Sequence, residues 1–207
     1  MINPNSKGRP AQVSKQAIIE CALDLGLSKA SMHAVGKALG VSATALYRHV
    51  KSKDELILEC SDHIVKSVVI PEQTEWESFL YEFARSFRKS LLAISGSVEY
   101  VRYNHHFTPS SQKLTDHSLG VLLSAGFEVQ QGFMAFSCVF TRVTDIVQHQ
   151  EQSQRVTPPP KGDAFADDNQ YKNLALLLKE VEPVDYEAYF EEGVKVTIEG
   201  LKAVYCK

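Results

Sequence analysis

Four of the serines and two of the glycines in the first 56 residues of this 207-residue chain punctuate it at helix-length intervals, and nothing else in the sequence narrows its fold so much. Ser14, Ser31, Ser42 and Ser52 each precede a run in which apolar residues recur every three or four positions. That is where a side-chain oxygen caps the free amides of a helix start. Gly26 and Gly40 follow the first two runs, where a helix closes on a left-handed residue. Val13 and Ile18 flank Ser14 as a hydrophobic staple, and Ile18, Cys21, Ala22 and Leu25 share a face of the first helix. The second helix is expected to bury Val35 and Leu39. The third, roughly 43 to 49, buries Leu46 and Val50 and leaves Ala43, Thr44, Tyr47 and Arg48 outside. Ser52-Lys53-Asp54-Glu55 reads as a capping box that opens a fourth helix, 53 to 69, which buries Ile57, Cys60, Ile64 and Val68 and stops at Pro71.

The rest of the chain keeps the helical period, so the expected class is all-α: an N-terminal three-helix domain followed by a helical bundle. Further helices are expected at 76 to 94, around Tyr100, and at 111 to 124, 128 to 150, 168 to 181 and 186 to 204. The proline-rich stretch 157 to 163 reads as an exposed loop. The expected domains are 1 to 56 and 57 to 207, with helix 53 to 69 joining them. Cys21, Cys60, Cys138 and Cys206 form no C-x-x-C pair, which points to reduced thiols and a cytoplasmic setting. The first seven residues lack the apolar stretch of a signal peptide, and no run approaches the ~18 apolar residues of a membrane span.

Charge divides the chain more sharply than its net −3 suggests. Through Leu56 eight basic residues face four acidic ones, a balance of +4, while the remainder has fourteen against twenty-one, a balance of −7. A basic head attracts phosphate, and an acidic body resists indiscriminate adhesion to nucleic acid. Two helices joined at Gly40-Val41-Ser42, the second short, have the spacing of a helix-turn-helix, which sets its second helix into the major groove. Short helices joined by glycine also occur in ordinary cores. Around the third helix, however, Tyr47 and His49 offer hydrogen bonds to phosphate, Lys51 and Lys53 lie just beyond, and Lys7 and Arg9 sit on an N-terminal arm.

The segments 17 to 26, 39 to 42 and 46 to 56, which include Leu46-Tyr47-Arg48-His49-Val50-Lys51-Ser52-Lys53, resemble the DNA-binding domain of the TetR family. The resemblance implies that Ser31 and His33 meet the DNA backbone and a base, that Ser42, Ala43 and Thr44 face base edges, and that Tyr47, His49 and Lys53 hold phosphates. Ala43 and Thr44 have little hydrogen-bonding capacity, so direct readout leans on thymine methyls and one hydroxyl. His33, Arg48 and DNA shape are expected to supply the rest of the specificity.

A weaker resemblance to the tetracycline-repressor-type C-terminal domain runs through Trp76-Glu77-Ser78-Phe79-Leu80, residues 84 to 92, Gly126-Phe127 and residues 192 to 201. It implies a homodimer whose helices 128 to 150 and 186 to 204 pair with those of a second subunit. Phe133, Phe136, Phe140, Val194, Ile198 and Leu201 give these helices apolar faces, which an intrachain core could equally use. The resemblance also implies a small-molecule effector inside the body. Where tetracycline-binding members carry a histidine and a glutamate for the magnesium chelate, this chain has Val101 and Gln148. The positions that read polar drug edges fall on Val69 and Phe83, while Phe87 matches. A hard divalent ion finds no ligand pair there, so an apolar or aromatic effector is expected, walled by Val69, Phe83, Phe87 and Val101, with no metal and no cofactor. The same residues would also serve as ordinary core.

The implied activity is a ligand-responsive repressor that binds palindromic double-stranded DNA as a homodimer. Two other readings stay open. His105-His106 with Asp116-His117 has the residue types of a metal-dependent hydrolase, but adjacent helical histidines point apart and no hydrolase, nucleotide or dinucleotide motif accompanies them, so no enzyme is expected. A helical adaptor for other proteins would leave the basic arm and third helix without a role.

Overall fold

The computed structural model describes residues 13–103, 108–155, 171–180 and 182–206. The arm with Lys7 and Arg9, the His105-His106 pair and the 157 to 163 stretch lie outside them. Among the described residues the chain is helical: α1 (Lys15–Leu25), α2 (Met32–Ala38), α3 (Ala43–Leu46), α4 (Lys53–Lys66), α5 (Trp76–Leu92), α6 (Ser97–Tyr103), α7 (Pro109–Ser124), α8 (Val129–Ser153), α9 (Lys172–Glu180) and α10 (Tyr186–Tyr205). No helix among them is long and apolar enough to cross a membrane.

The chain groups into two compact units, residues 1–67 with 92–113, and 68–91 with 114–207. The expected division at 56/57 falls inside α4, which packs on α1 and α6 and so belongs whole to the first unit. α4 also ends earlier than expected, at Lys66, where Ser67 takes over as C-cap and its hydroxyl donates to the Ile64 carbonyl at 2.7 Å. Pro71, five residues beyond Lys66, is therefore not the stop.

In the first unit Ile18, Leu46, Val50, Ile57, Cys60 and Ile64 are fully buried. The buried face of α1 is Ile18, Ile19, Ala22 and Leu23; Cys21 and Leu25, expected on it, are only half-buried. Tyr100 from α6 reaches into this core, and its hydroxyl donates to the Ala22 carbonyl at 2.7 Å. Burial pushes the Tyr100 phenol above its ordinary range, with Cys60 and Glu99 adding to the effect. Burial also pushes the Cys60 thiol up to about 12, helped by Glu59.

The second unit is held by aromatic rings. On α5, Trp76, Phe79, Leu80, Phe83, Phe87 and Leu91 follow the three- and four-residue spacing of a buried stripe. Phe83 stacks on Phe87 at 5.5 Å between centroids, Phe83 meets Phe136 at 5.0 Å, and Phe87 stacks on Phe140 at 4.8 Å. Each such side chain taken from water contributes roughly 1.5–3 kcal/mol. α8 and α10 pack closely because Gly193 lacks a side chain: a Cβ there would lie 3.1 Å from Ile146 Cδ1. Buried Arg88 binds Glu187, Gln150 and the Tyr186 carbonyl, fastening the start of α10 to α5 and α8.

Candidate nucleic-acid interface

The α2–α3 turn is built almost entirely by caps and glycines. The Ser31 hydroxyl accepts the Ala34 N–H at 3.1 Å and opens α2, and the Ser42 hydroxyl accepts the Ala45 N–H at 3.3 Å and opens α3. Between them Gly40 takes φ +68, a conformation other residues rarely adopt, and the Val41 N–H bonds the Gly36 carbonyl at 2.9 Å. Gly36 is itself a positioning residue that sequence periodicity did not single out. A Cβ there would lie 2.9 Å from the Val41 carbonyl oxygen and 3.3 Å from the Ala43 nitrogen, so α2 and α3 meet this closely only through glycine. The available signal was a helix-weakening glycine on the buried face of α2, beside Val35.

α3 is shorter than expected, four residues, with Tyr47 as its C-cap. Hydrogen bonds from His49 and Val50 back to the Leu46 carbonyl carry the chain one further turn, and Leu46 and Val50 anchor it with no exposed surface. Burying that side turns the other outward. Thr44, Arg48 and Lys53 are exposed, Tyr47 is 50% exposed, and Ala43 and His49 are half-buried. On α2, His33 and Lys37 are exposed. Ser31 and Ser42 are exposed too, and since their oxygens accept cap bonds, their O–H groups are the part left to donate to phosphate or a base. Downstream, Ser52 caps α4 by accepting the Glu55 N–H at 3.0 Å, while Glu55 reaches back to the Lys51 N–H at 2.6 Å. The return bond thus falls one residue before the expected box partner, and it fixes the backbone between Tyr47 and Lys53.

The other expected site residues belong to other elements. Phe83 and Phe87 are fully buried in the four-ring cluster of the second unit, Val69 is 73% exposed, and half-buried Val101 is on α6 in the first unit. Of the residues expected to pair with a second subunit, Phe136, Val194, Ile198 and Leu201 are buried by the chain's own packing, of α8 on α10 and of Phe136 on Phe83. Phe140 is half-buried against Phe87, and Phe133 is 48% exposed. What α8 and α10 leave outside is Val129, Phe133, Met134, Tyr189, Val196 and Val204. Asp116 and His117 are exposed, with His117 tilted against Phe79, and their proposed partners lie outside the described residues.

Comparison with known proteins gives two family matches, "Bacterial regulatory proteins, tetR family" over residues 11–60 and "Tetracyclin repressor-like, C-terminal domain" over residues 70–205. The chain is 27% identical over 205 residues to the tetracycline repressor protein class D of Escherichia coli, covering 93% of this chain and 90% of that one. Its fold is similar to that of ActR from Streptomyces coelicolor, solved in complex with actinorhodin, with TM-score 0.82 and 23% identity over 95% of this chain and all of that one. It is also similar to TetR from Acinetobacter baumannii AYE, with TM-score 0.69 and 22% identity over 93% of this chain and 98% of that one.

Proposed function

The chain belongs to the TetR family of bacterial regulatory proteins, and from that premise we infer that it is a cytoplasmic repressor, without catalytic activity, that binds a palindromic operator as a homodimer and is released by a small effector. The observation that carries this reading is the outward face of the α2–α3 turn, where Thr44, Tyr47, Arg48, His33 and Lys53 surround a short helix anchored by Leu46 and Val50. Thr44 and Ala43 meet base edges, with thymine methyls the natural partner of two such small side chains. Tyr47, His49 and Lys53 hold phosphates on either side, and Ser31 and Ser42 donate their hydroxyl protons. Two such faces related by a two-fold axis read half-sites about one helical turn, or a multiple of it, apart.

The effector binds the second unit by opening or extending its aromatic cluster around Phe83 and Phe87, and is apolar or aromatic. The resemblance puts Gln148, on α8 of that unit, where a tetracycline-binding member has a glutamate, and an amide gives a metal chelate no carboxylate. Operator and effector then oppose each other reciprocally, with a coupling of about 1–3 kcal/mol. ActR, whose fold is similar, was solved in complex with actinorhodin.

Selection of duplexes from a random pool, followed by titration over a range of salt, tests the DNA-binding reading. An enriched palindrome is expected, with affinity falling steeply as salt rises. Tyr47→Ala should lower its affinity about tenfold or more with unchanged thermal stability, and Lys53→Ala should reduce the salt slope by about one. No enriched site from effector-free protein, or unchanged binding by both variants, would turn the reading toward the adaptor.

A further inference from the structure

Resting on the homodimer reading above, we propose that Arg142 and Asp145 make the α8–α10 face selective for a second copy of this chain, with Arg142 of each copy paired to the partner's Asp145. The two side chains sit at the centre of that face. Two cavities of about 460 Å³ each open along it; Met134, Cys138 and Thr197 line one, Gln148, His149 and Tyr189 line the other, and Arg142 and Asp145 line both.

The chain holds Arg142 in place from below. Its stem crosses Gly193, where a Cβ would lie 3.5 Å from Arg142 Cδ, and its Nε donates to the Thr197 hydroxyl at 3.4 Å. That hydroxyl in turn donates to the Gly193 carbonyl at 2.8 Å. The guanidinium is therefore seated on α10, half-buried, with part of its rotamer entropy already lost before association. Asp145 lies three residues along α8 on the same side and is exposed.

An interface related by a two-fold axis must match itself, residue i meeting j while j meets i. A cation and an anion three residues apart satisfy this condition, because rotation about an axis passing beside this turn of α8 lays each charge on its opposite. A patch of one sign would repel its own copy. The exposed Met134 and Tyr189, which line the cavities beside the pair, supply apolar area that any apolar surface could cover. Choice of partner therefore falls to the charges, which penalise a helix pair with the wrong sign at these positions.

Charge reversal tests this without DNA or effector. Arg142→Glu leaves two acids on the face, Asp145→Arg leaves two bases, and the double variant restores one of each in exchanged places. Circular dichroism first establishes that each variant keeps its helix content. Sedimentation velocity over a micromolar range then reads association, and the two single variants are also mixed one to one under different tags. Each single variant alone should form a homodimer roughly tenfold or more weaker than wild type. The mixture should form a heterodimer of near wild-type strength, and the double variant should recover homodimerisation. Single variants that associate as wild type does, or a mixture no stronger than its components, would overturn the pairing while leaving the homodimer in place. A wild-type chain that stays monomeric at these concentrations would overturn the homodimer and the pairing together.

Discussion

The α2–α3 turn is fixed by backbone atoms and short caps, whereas the body around α5, α8 and α10 is fixed by rings. In the turn, Gly36, Gly40, Ser31 and Ser42 place the main chain directly, and few large side chains take part. In the body, Phe83, Phe87, Phe136 and Phe140 meet through side chains at centroid distances of 4.8 to 6.4 Å, and the helices that carry them are longer. The two constructions suit different tasks. Backbone hydrogen bonds and a left-handed glycine permit one geometry and punish departures from it, as a helix that must fit a groove of ~12 Å requires. Packed rings tolerate repacking at smaller cost, as the effector entry proposed for this core would require.

Removing a ring should show the largest effect. Phe83→Ala deletes a fully buried ring that touches two others and should cost about 3–5 kcal/mol in urea unfolding, while intact folded dimer keeps its operator affinity. A loss of affinity at full folding would show that the ring cluster positions the turn and would break the contrast. Gly36→Ala should come next, at about 1–3 kcal/mol. The Cβ meets backbone at 2.9 Å, which outweighs the gain in helix propensity, and operator affinity should fall along with stability. An unchanged operator affinity would show that the close approach is slack.

Ser42→Ala removes the α3 cap and should cost about 1 kcal/mol of stability, together with a measurable loss of operator affinity, by the same unfolding and titration assays. The smallest effect is expected from charge on the body's surface. Arg85 donates two hydrogen bonds to Glu191, which holds that carboxyl below the usual carboxylate range despite some burial. Its contribution is fully present above the unfolded carboxylate value and disappears as pH falls through the lowered folded value. Because both side chains are more than a third exposed, Arg85→Met should reduce the stability difference between neutral and acid solution by only about 0.2–1 kcal/mol. An unchanged pH profile in Arg85→Met would remove the pair from the body's stability altogether.

Local punctuation was the legible part of the sequence. Ser14, Ser31, Ser42 and Ser52 all cap helices, and Gly26 and Gly40 both take positive φ, because each acts on the few residues beside it. Helix limits in the body also agree closely, as with α10 at Tyr186–Tyr205 against 186 to 204. What sequence could not supply was the owner of each apolar face. Periodicity marks Val194, Ile198 and Leu201 as covered, but the same spacing serves a partner subunit or a neighbouring helix, and here they are buried within the chain, which packs α10 on α8. Gly36 escaped notice for a related reason: its role depends on how closely α2 and α3 approach, a distance that no pattern along one helix encodes.

The placement of Cys60 has a practical consequence for chemistry on the native protein. Its sulfur is fully buried, within 3.9 Å of the Ile19 carbonyl, and a thiol pushed up to about 12 carries almost no thiolate at neutral pH. Alkylating reagents should therefore pass over it while labelling exposed Cys206, and should reach it only when the α1–α4 core opens. The rate at which Cys60 is modified then becomes a clock for opening of the DNA-reading unit, legible by mass spectrometry in the unaltered chain.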